Sequence, residues 1–473
     1  MDCLFVNPPS PDGHVYIRDI NRSGRRSREG TIWPQTSLAY LAAVLRKEGY
    51  SVGLVDCIAG KMGWSAFEEL LRRERPRYIV TNAITSIITN DLHTAELARR
   101  VPAVSIAVGP HITAVPQETL TRYPSLDIGI IGEAEETIRE LINSLEKKAR
   151  PLAQVQGIAF RDGETIVITE KRPLIENLDD LPIPLHELLP IEKHSLPYIG
   201  KRYTFVLSSR GCPYQCTFCR QPIMWERKFR SRSAGSILRE LQYLKGLGIT
   251  NFMFHSDTFT LDRKIVIELC QGMVDSNLNM RWCCNSRVDT VDEEILRWMK
   301  KAGCWMVMYG IESGSQEVLN TVKKGGNATI GQAEQAVLWT KQHGIKVWGY
   351  FIMGLPGETR ETMKESMAFA RKLPLDLVNF AVGAPYPGTE FYSQAKAEGW
   401  LQSERWEDFD QNYSAIVSYP WLSSQEIITG IRNAYLRWFL RPYGIKVFLK
   451  GLTSLDNLKM LFKVGLEHIK IGL

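Results

Sequence analysis

Three cysteines, Cys212, Cys216 and Cys219, sit in the run Arg210-Gly-Cys-Pro-Tyr-Gln-Cys-Thr-Phe-Cys219. C-x3-C-x2-C spacing lets three thiolates face one soft metal centre. Structural zinc takes four protein ligands in a closed tetrahedron, and a cluster used only for electron transfer is held by four cysteines. Three thiols leave a four-iron cluster with one open corner, where a substrate can bind and be reduced. Two duller readings stand beside this one: three buried cysteines so spaced by chance, and a zinc site completed by a distant histidine. Cys270, Cys283, Cys284 and Cys304 have no C-x-x-C pairing. They are expected to be buried structural thiols, with an auxiliary cluster as the sharper alternative, and Cys3 and Cys57 to be core residues.

A cysteine loop needs a frame. From about 200 to 395, six strand-like segments are each followed by a helical stretch: Tyr203–Ser208, Asn251–His255, Arg281–Asn285, Trp305–Gly310, Lys346–Ile352 and Val378–Val382. Right-handed crossovers curl such βα units into a barrel, here three-quarters of the eight-fold one. Chemistry on barrels sits at the carboxyl ends of the strands, and the cysteine loop directly follows the first strand.

The spacing, the loop's place and the turns behind it resemble the radical S-adenosylmethionine (AdoMet) superfamily. Gly349-Tyr-Phe-Ile-Met-Gly-Leu-Pro-Gly-Glu-Thr359 and Pro385-Tyr-Pro-Gly-Thr389 resemble the branch containing methylthiotransferases and the anaerobic magnesium-protoporphyrin ester cyclase. The resemblance implies a 4Fe–4S cluster on Cys212, Cys216 and Cys219, with AdoMet on the open iron. It also implies an AdoMet bed of Phe218, Asp257, Arg287, Glu312, Ser313, Phe351, Ile352, Gly354 and Pro385. Asp257 would lie near the amino group and ribose, Arg287 at the carboxylate or cluster, Glu312 and Ser313 at the ribose, and Phe351 and Ile352 along the adenine. A helix cap is the plainer role for Asp257.

Residues 1–150 alternate strands (Cys3–Asn7, Ser51–Val55, Tyr78–Asn82, Ser105–Val108, Ile128–Ile131) with helical stretches (Ser37–Lys47, Ala66–Arg73, Asp91–Arg100, Glu135–Glu146). This rhythm predicts a doubly wound, Rossmann-like parallel sheet with its ligand at the carboxyl ends of the strands. The region resembles the cobalamin-binding domain that precedes many radical AdoMet barrels. That implies cobalamin near Asn7, Pro8, Thr85, Ser86, Gly109, Pro110, His111, Gly132 and Glu133. The lower-ligand motif D-x-H-x-x-G is not completed, since Asp12-Gly-His14 leads to Ile17 and Asp91-Leu-His93 to Glu96. Arg18–Arg28 reads as a basic loop, anion-holding or solvated.

Residues 151–199 read as a hairpin about Arg161-Asp-Gly-Glu164 and a proline linker, Leu181-Pro-Ile-Pro184. Residues 396–473 read as a mainly helical extension. Its basic residues Arg432, Arg437, Arg441, Lys446, Lys450, Lys459, Lys463 and Lys470 mix with Trp438, Phe439, Phe448, Leu449 and Phe462. Such a segment packs on the barrel, lies on a membrane surface or caps an apolar substrate.

The formal charge of +6 comes without a dense basic block, so no nucleic-acid partner is expected. Nine cysteines without a disulfide framework, and a start lacking a signal-peptide pattern, point to the cytoplasm. The resemblance implies reductive AdoMet cleavage, hydrogen abstraction from an unactivated carbon, and methyl transfer from methylcobalamin. Oxidative cyclisation, rearrangement or hydroxylation is the alternative outcome, and a non-catalytic cobalamin-binding regulator the alternative class. A small, hydrophobic and acidic substrate and an electron donor such as flavodoxin or ferredoxin would be the partners.

Overall fold

The computed structural model describes residues 1–19, 22–27, 30–147, 150–196, 200–324 and 328–442. Two compact units emerge. The first comprises Met1–Arg25, Gly30–Phe205 and Arg220–Arg232; the second comprises Arg26–Glu29, Val206–Cys219 and the chain from Ser233 on.

In the first unit, strands β1 (Cys3–Asn7), β2 (Val52–Asp56), β3 (Tyr78–Asn82), β4 (Val104–Val108) and β5 (Ile128–Ile130) are parallel, in the order β2-β1-β3-β4-β5. Side-chain alternation divides β1 between two cores. Cys3 and Phe5 pack with Leu38, Leu41, Ile138 and Leu141 from the helices Thr36–Lys47 and Ala134–Lys147. Leu4 and Val6 pack with Phe67, Leu71 and Leu97 from Trp64–Glu74 and Ile88–Arg100. Helices thus cover both faces, as the doubly wound reading requires, and the order reverses beside β1, the switch point where such sheets bind ligands. The hairpin forms β6 (Ile158–Asp162) and β7 (Thr165–Ile168), which extend the same sheet antiparallel beyond β5.

Part of the basic loop predicted for residues 18–28 is instead ordered as a two-stranded ribbon, Tyr16–Asp19 with Arg22–Arg26. Its anchor is Arg18, fully buried and ion-paired to buried Asp91 at 2.8 Å. The segment Arg220–Arg232, directly after the third cysteine, also packs in this unit, with Met224 and Trp225 in its core.

A second, six-stranded sheet runs in sequence order: β8 (Tyr203–Val206), β9 (Asn251–Phe254), β10 (Arg281–Arg287), β11 (Cys304–Glu312), β12 (Lys346–Met353) and β13 (Leu377–Val382). From β9 on the pairings are parallel. Side chains of Ser233, Asp262, Asp292, Thr329, Thr359 and Thr389 cap the helices between and after these strands. Each such cap is worth about 1 kcal/mol, so helix starts are fixed one residue beyond the strand-end loops that carry the site. Phe252, Phe254, Phe259 and Trp282 pack edge-on and stacked around the early strands. Cys270, Cys283, Cys284 and Cys304 are all buried, as are Cys3 and Cys57 in the first unit. Burial, reinforced by the neighbouring Cys304, pushes the Cys270, Cys283 and Cys284 thiols well up, which keeps them protonated and inert.

After the barrel the chain forms the helices Glu390–Ala397 and Ser424–Phe439. Arg441 is buried and donates to the carbonyls of Ala370, Leu373 and Leu375, closing the end of the helix Arg360–Lys372. The rest of the predicted basic segment, 443–473, lies outside the described residues. No described helix is long and apolar enough to cross a membrane.

Candidate active site

The loop bearing the three cysteines is held from three sides. From the end of β9, Ser256 Oγ accepts the Ser208 and Ser209 amides at 3.1 Å, and Asp257 Oδ2 accepts the Gly211 amide at 2.9 Å. Gln215–Cys216 pairs antiparallel with Lys323–Lys324, Cys216 opposite Lys323. Thr217 donates to the Val322 carbonyl at 2.9 Å and receives the Phe391 amide at 3.0 Å. Cys212, Cys216 and Cys219 are in no disulfide, and each is partly exposed. Among the described residues no three His, Cys, Asp or Glu side chains converge on a single-ion site. A four-iron cluster asks for something else, one thiol at each of three corners, and three accessible thiols on one braced loop suit that donor set.

Charge gathers around this loop. Arg287, at the end of β10, forms a bidentate pair with Asp289 at 2.7–2.8 Å, lies 3.5 Å over the Tyr214 ring and directs Nη1 to Cys216 Sγ at 4.0 Å. Burial works against its charge, and the Asp289 carboxylate more than restores it. Burial pushes the Cys212 and Cys216 thiols up, while Lys323 and Arg287 pull Cys216 back. Lys323 is itself buried, donating to the Gly310 carbonyl at 3.1 Å. Burial lowers its ammonium and Glu312 opposes that; in Glu312 burial raises the carboxyl against Lys323 and Arg287.

The placing of Glu312 is costly. Its φ is +70°, a region that disfavours side chains, and the β11–β12 register slips between Gly310 and Glu312. The carboxylate folds back over Gly310, where a Cβ would come 2.4 Å from Oε1. Strain at a strand end facing a buried lysine is the kind kept for function. Ser313, by contrast, turns inward to Ser366 Oγ at 3.1 Å and caps the Ser315 amide.

Strand β12 separates two neighbours that the sequence grouped. Burial alternates along it, Val347, Gly349, Phe351 and Met353 against Trp348, Tyr350 and Ile352. Phe351 is fully buried against Phe380, which meets Tyr435 of the C-terminal helix at 5.1 Å. Ile352 points the other way and packs with Phe218 of the cysteine loop against Val318, Val322 and Leu355. One residue of the pair therefore belongs to the helix-facing core and the other to the cysteine side. Gly354 follows with φ +85°. Glu358 turns back to accept the Gly354 and Leu355 amides, and burial raises its carboxyl to about 8. Pro385 is buried after β13.

At the carboxyl ends of the first unit's sheet, Asn7 donates to Asp56 at 2.7 Å and accepts from Arg18; Pro8 beside it is buried. Thr85 and His111 are buried and joined at 3.2 Å. Burial, reinforced by Arg220 and Arg122, pushes His111 down to about 3, so its imidazole is neutral. Gly109 (φ +125°) passes the Ala83 carbonyl so closely that a Cβ would lie 2.8 Å from it, and Pro110 starts a short helix there. Gly132 faces open space. The Glu133 carboxylate is engaged within the unit: both oxygens bind Arg230 at 2.8–3.0 Å, and one accepts the Ile175 amide at 2.6 Å. Asn82 Oδ1 and Ser86 Oγ are buried without a hydrogen-bond partner. Orphaned acceptors and close-approach glycines at strand ends fit a large polar ligand such as cobalamin.

Sequence reasoning missed Lys323, Tyr214, Asp289 and Glu358. Only Glu358 had a signal, as the last residue of the Gly-Leu-Pro-Gly-Glu turn.

Comparison with known proteins agrees with this geometry. Residues 206–370 match the radical SAM superfamily and residues 26–142 the B12 binding domain. An uncharacterized methyltransferase of Pyrococcus horikoshii is 33% identical over 455 residues, 96% of this chain and 95% of the relative. The anaerobic magnesium-protoporphyrin IX monomethyl ester cyclase of Cereibacter sphaeroides is 28% identical over 90% of this chain and 70% of its own. In structure, the cobalamin-dependent AdoMet radical enzyme OxsB aligns with TM-score 0.73 at 18% identity, over 99% of this chain and 71% of that one. The chain therefore belongs to the radical SAM superfamily, among the enzymes that join a B12 binding domain to the AdoMet barrel.

Proposed function

We propose that this protein is a cobalamin-dependent radical AdoMet methyltransferase acting on a small molecule. The observation that carries the reading is the three-cysteine loop at the first barrel strand end, in a chain aligned almost end to end with an uncharacterized methyltransferase at 33% identity. When bound, the cluster supplies an electron for AdoMet cleavage and cobalamin supplies a transferable methyl group.

The chain's own residues would then bind and orient. Cys212, Cys216 and Cys219 would hold three irons. Lys323 suits the AdoMet carboxylate better than Arg287, whose fork is taken by Asp289 and whose face is taken by Tyr214. Arg287 would instead brace the loop, and Asp257 would fix its entry through the Gly211 amide. Glu312 would face the polar end of AdoMet, while Phe218, Ile352 and the Gly354 turn would form the apolar bed that excludes water from a reactive intermediate. In the first unit, Thr85, Ser86, His111 and the backbone at Pro8, Gly109 and Gly132 would receive cobalamin. A hydrophobic, acidic substrate and a flavodoxin or ferredoxin donor complete the reading.

The deciding experiment is anaerobic turnover with methyl-deuterated AdoMet, followed by mass spectrometry of the products. Label in a carbon-bound methyl group of the substrate is expected. If 5′-deoxyadenosine accumulates while the substrate only loses hydrogen, methyl transfer is wrong and a cyclase-like oxidation replaces it.

A further inference from the structure

The Gly354–Glu358 turn is held from outside the barrel by residues of the C-terminal extension. Tyr419 is buried between Trp400 (4.8 Å) and Trp421 (5.3 Å, stacked) and donates its hydroxyl to the Gly354 carbonyl at 2.9 Å. Trp421 donates Nε1 to the Glu358 carbonyl at 3.0 Å. Ile427 fills the space over Gly354, where a Cβ would lie 2.9 Å from it. Glu426 pairs with Arg360 at 2.5 Å, just past the turn.

The extension is built to present these groups. Ser418 bonds back to Trp400, and Gln402 to Ile416, at 2.8–2.9 Å; Tyr419 and Leu422 then exchange backbone bonds across a tight bend. Ser423 and Glu426 form a capping box that starts the helix Ser424–Phe439 directly behind. From inside, the Glu358 carboxyl takes the Gly354 and Leu355 amides. The turn's two terminal carbonyls are thus bound by Tyr419 and Trp421, and its amides by Glu358.

We propose that Tyr419 and Trp421 are positioning residues that lock the Gly354–Glu358 turn in the shape AdoMet meets, making the extension part of the AdoMet site. This rests on the reading that the turn borders AdoMet. An AdoMet bed must be preorganised before binding, and a glycine turn left to itself is not. A side-chain donor on the carbonyl at each end, the Tyr419 hydroxyl on Gly354 and the Trp421 indole N–H on Glu358, removes the freedom that Gly354 and Gly357 introduce.

The test compares the full-length protein with Tyr419→Phe and Trp421→Phe. Tyr419→Phe removes only the hydroxyl; Trp421→Phe removes the indole N–H together with part of the ring stacked on Tyr419, and Trp421 is exposed enough that its variant should fold. Hydrogen exchange of the 353–359 peptide is measured without cofactors, and AdoMet affinity after cluster reconstitution. Exchange about fivefold faster is expected in each variant, the weight of one lost hydrogen bond, with AdoMet affinity falling by a similar factor and thermal unfolding little changed. Unchanged exchange in both variants overturns the proposal. Faster exchange with unchanged affinity upholds the clamp and places the fault in the AdoMet assignment of the turn.

Discussion

A carboxyl group with two backbone amides on one oxygen and no partner among the described residues on the other is a poor place for a charge once water is excluded, and Glu358 is such a group, raised to about 8 by burial. Unfolded, it would lose its proton near 4.5. Between that value and about 8 the folded chain holds a proton that the unfolded chain releases, so this group makes stability fall as pH rises. Glu358→Gln keeps an acceptor for both amides and cannot ionise. Thermal melts from pH 5 to 8.5 should therefore show a shallower decline for the variant, the difference bounded by about 1.4 kcal/mol per pH unit; parallel curves would contradict a protonated Glu358. The cysteines separate by role. Alanine at Cys212, Cys216 or Cys219 should abolish the brown absorbance and all AdoMet cleavage, and retained cleavage would remove the cluster assignment. Cys283→Ala, in the core, should cost about 1 kcal/mol of stability and leave the spectrum intact. The cluster thiols were legible because metal chemistry dictates their spacing. Lys323 was not: one lysine in a Thr-Val-Lys-Lys run means nothing until the chain lays it beside Cys216.

At the scale of elements, the apolar periods revealed strands and helices to within a few residues, and fell silent where order comes from a polar anchor. The Tyr16–Asp19 and Arg22–Arg26 ribbon carries no apolar alternation. Arg18 anchors it, reaching Asp91 with Nε and Nη2, Asn7 with Nη1 and the Pro9 carbonyl with Nη2. Arg18→Ala or Asp91→Ala would strand a buried charge and should cost about 3–5 kcal/mol by denaturant unfolding. Replacing both, as Arg18→Met with Asp91→Leu, should recover most of that loss; a double variant as unstable as the singles would show that the wider hydrogen-bond set matters more than the ion pair. Strand β12 shows the opposite limit. Its period of two was readable, but which face turns toward the cysteine loop depends on Phe380, Tyr435 and Phe218, and so on partners far along the chain.

For the molecule as a whole, the extension after the barrel was the least legible part, because its basic and aromatic composition suits a membrane surface, a substrate cap and a packed helix equally. The described part shows packing. Trp400, Tyr419, Leu422, Ile427, Ile431, Ala434, Tyr435 and Trp438 are all buried, and at roughly 1.5–3 kcal/mol for each large apolar side chain their loss is as large as the 5–15 kcal/mol that holds a typical domain folded. The Tyr435 hydroxyl also accepts the Phe380 amide and donates to Asn379 Oδ1 on β13, the last strand of the sheet. Arg441 adds a further anchor, on the carbonyls that end the helix Arg360–Lys372. A truncation tests this packing as a whole. A chain stopped before Trp400 exposes the outer side of β12 and β13 together with the turn, and should fail to give a cooperative melt. If the shorter chain instead unfolded cooperatively and bound AdoMet as the full protein does, the extension would be an accessory, and the barrel alone would hold its site.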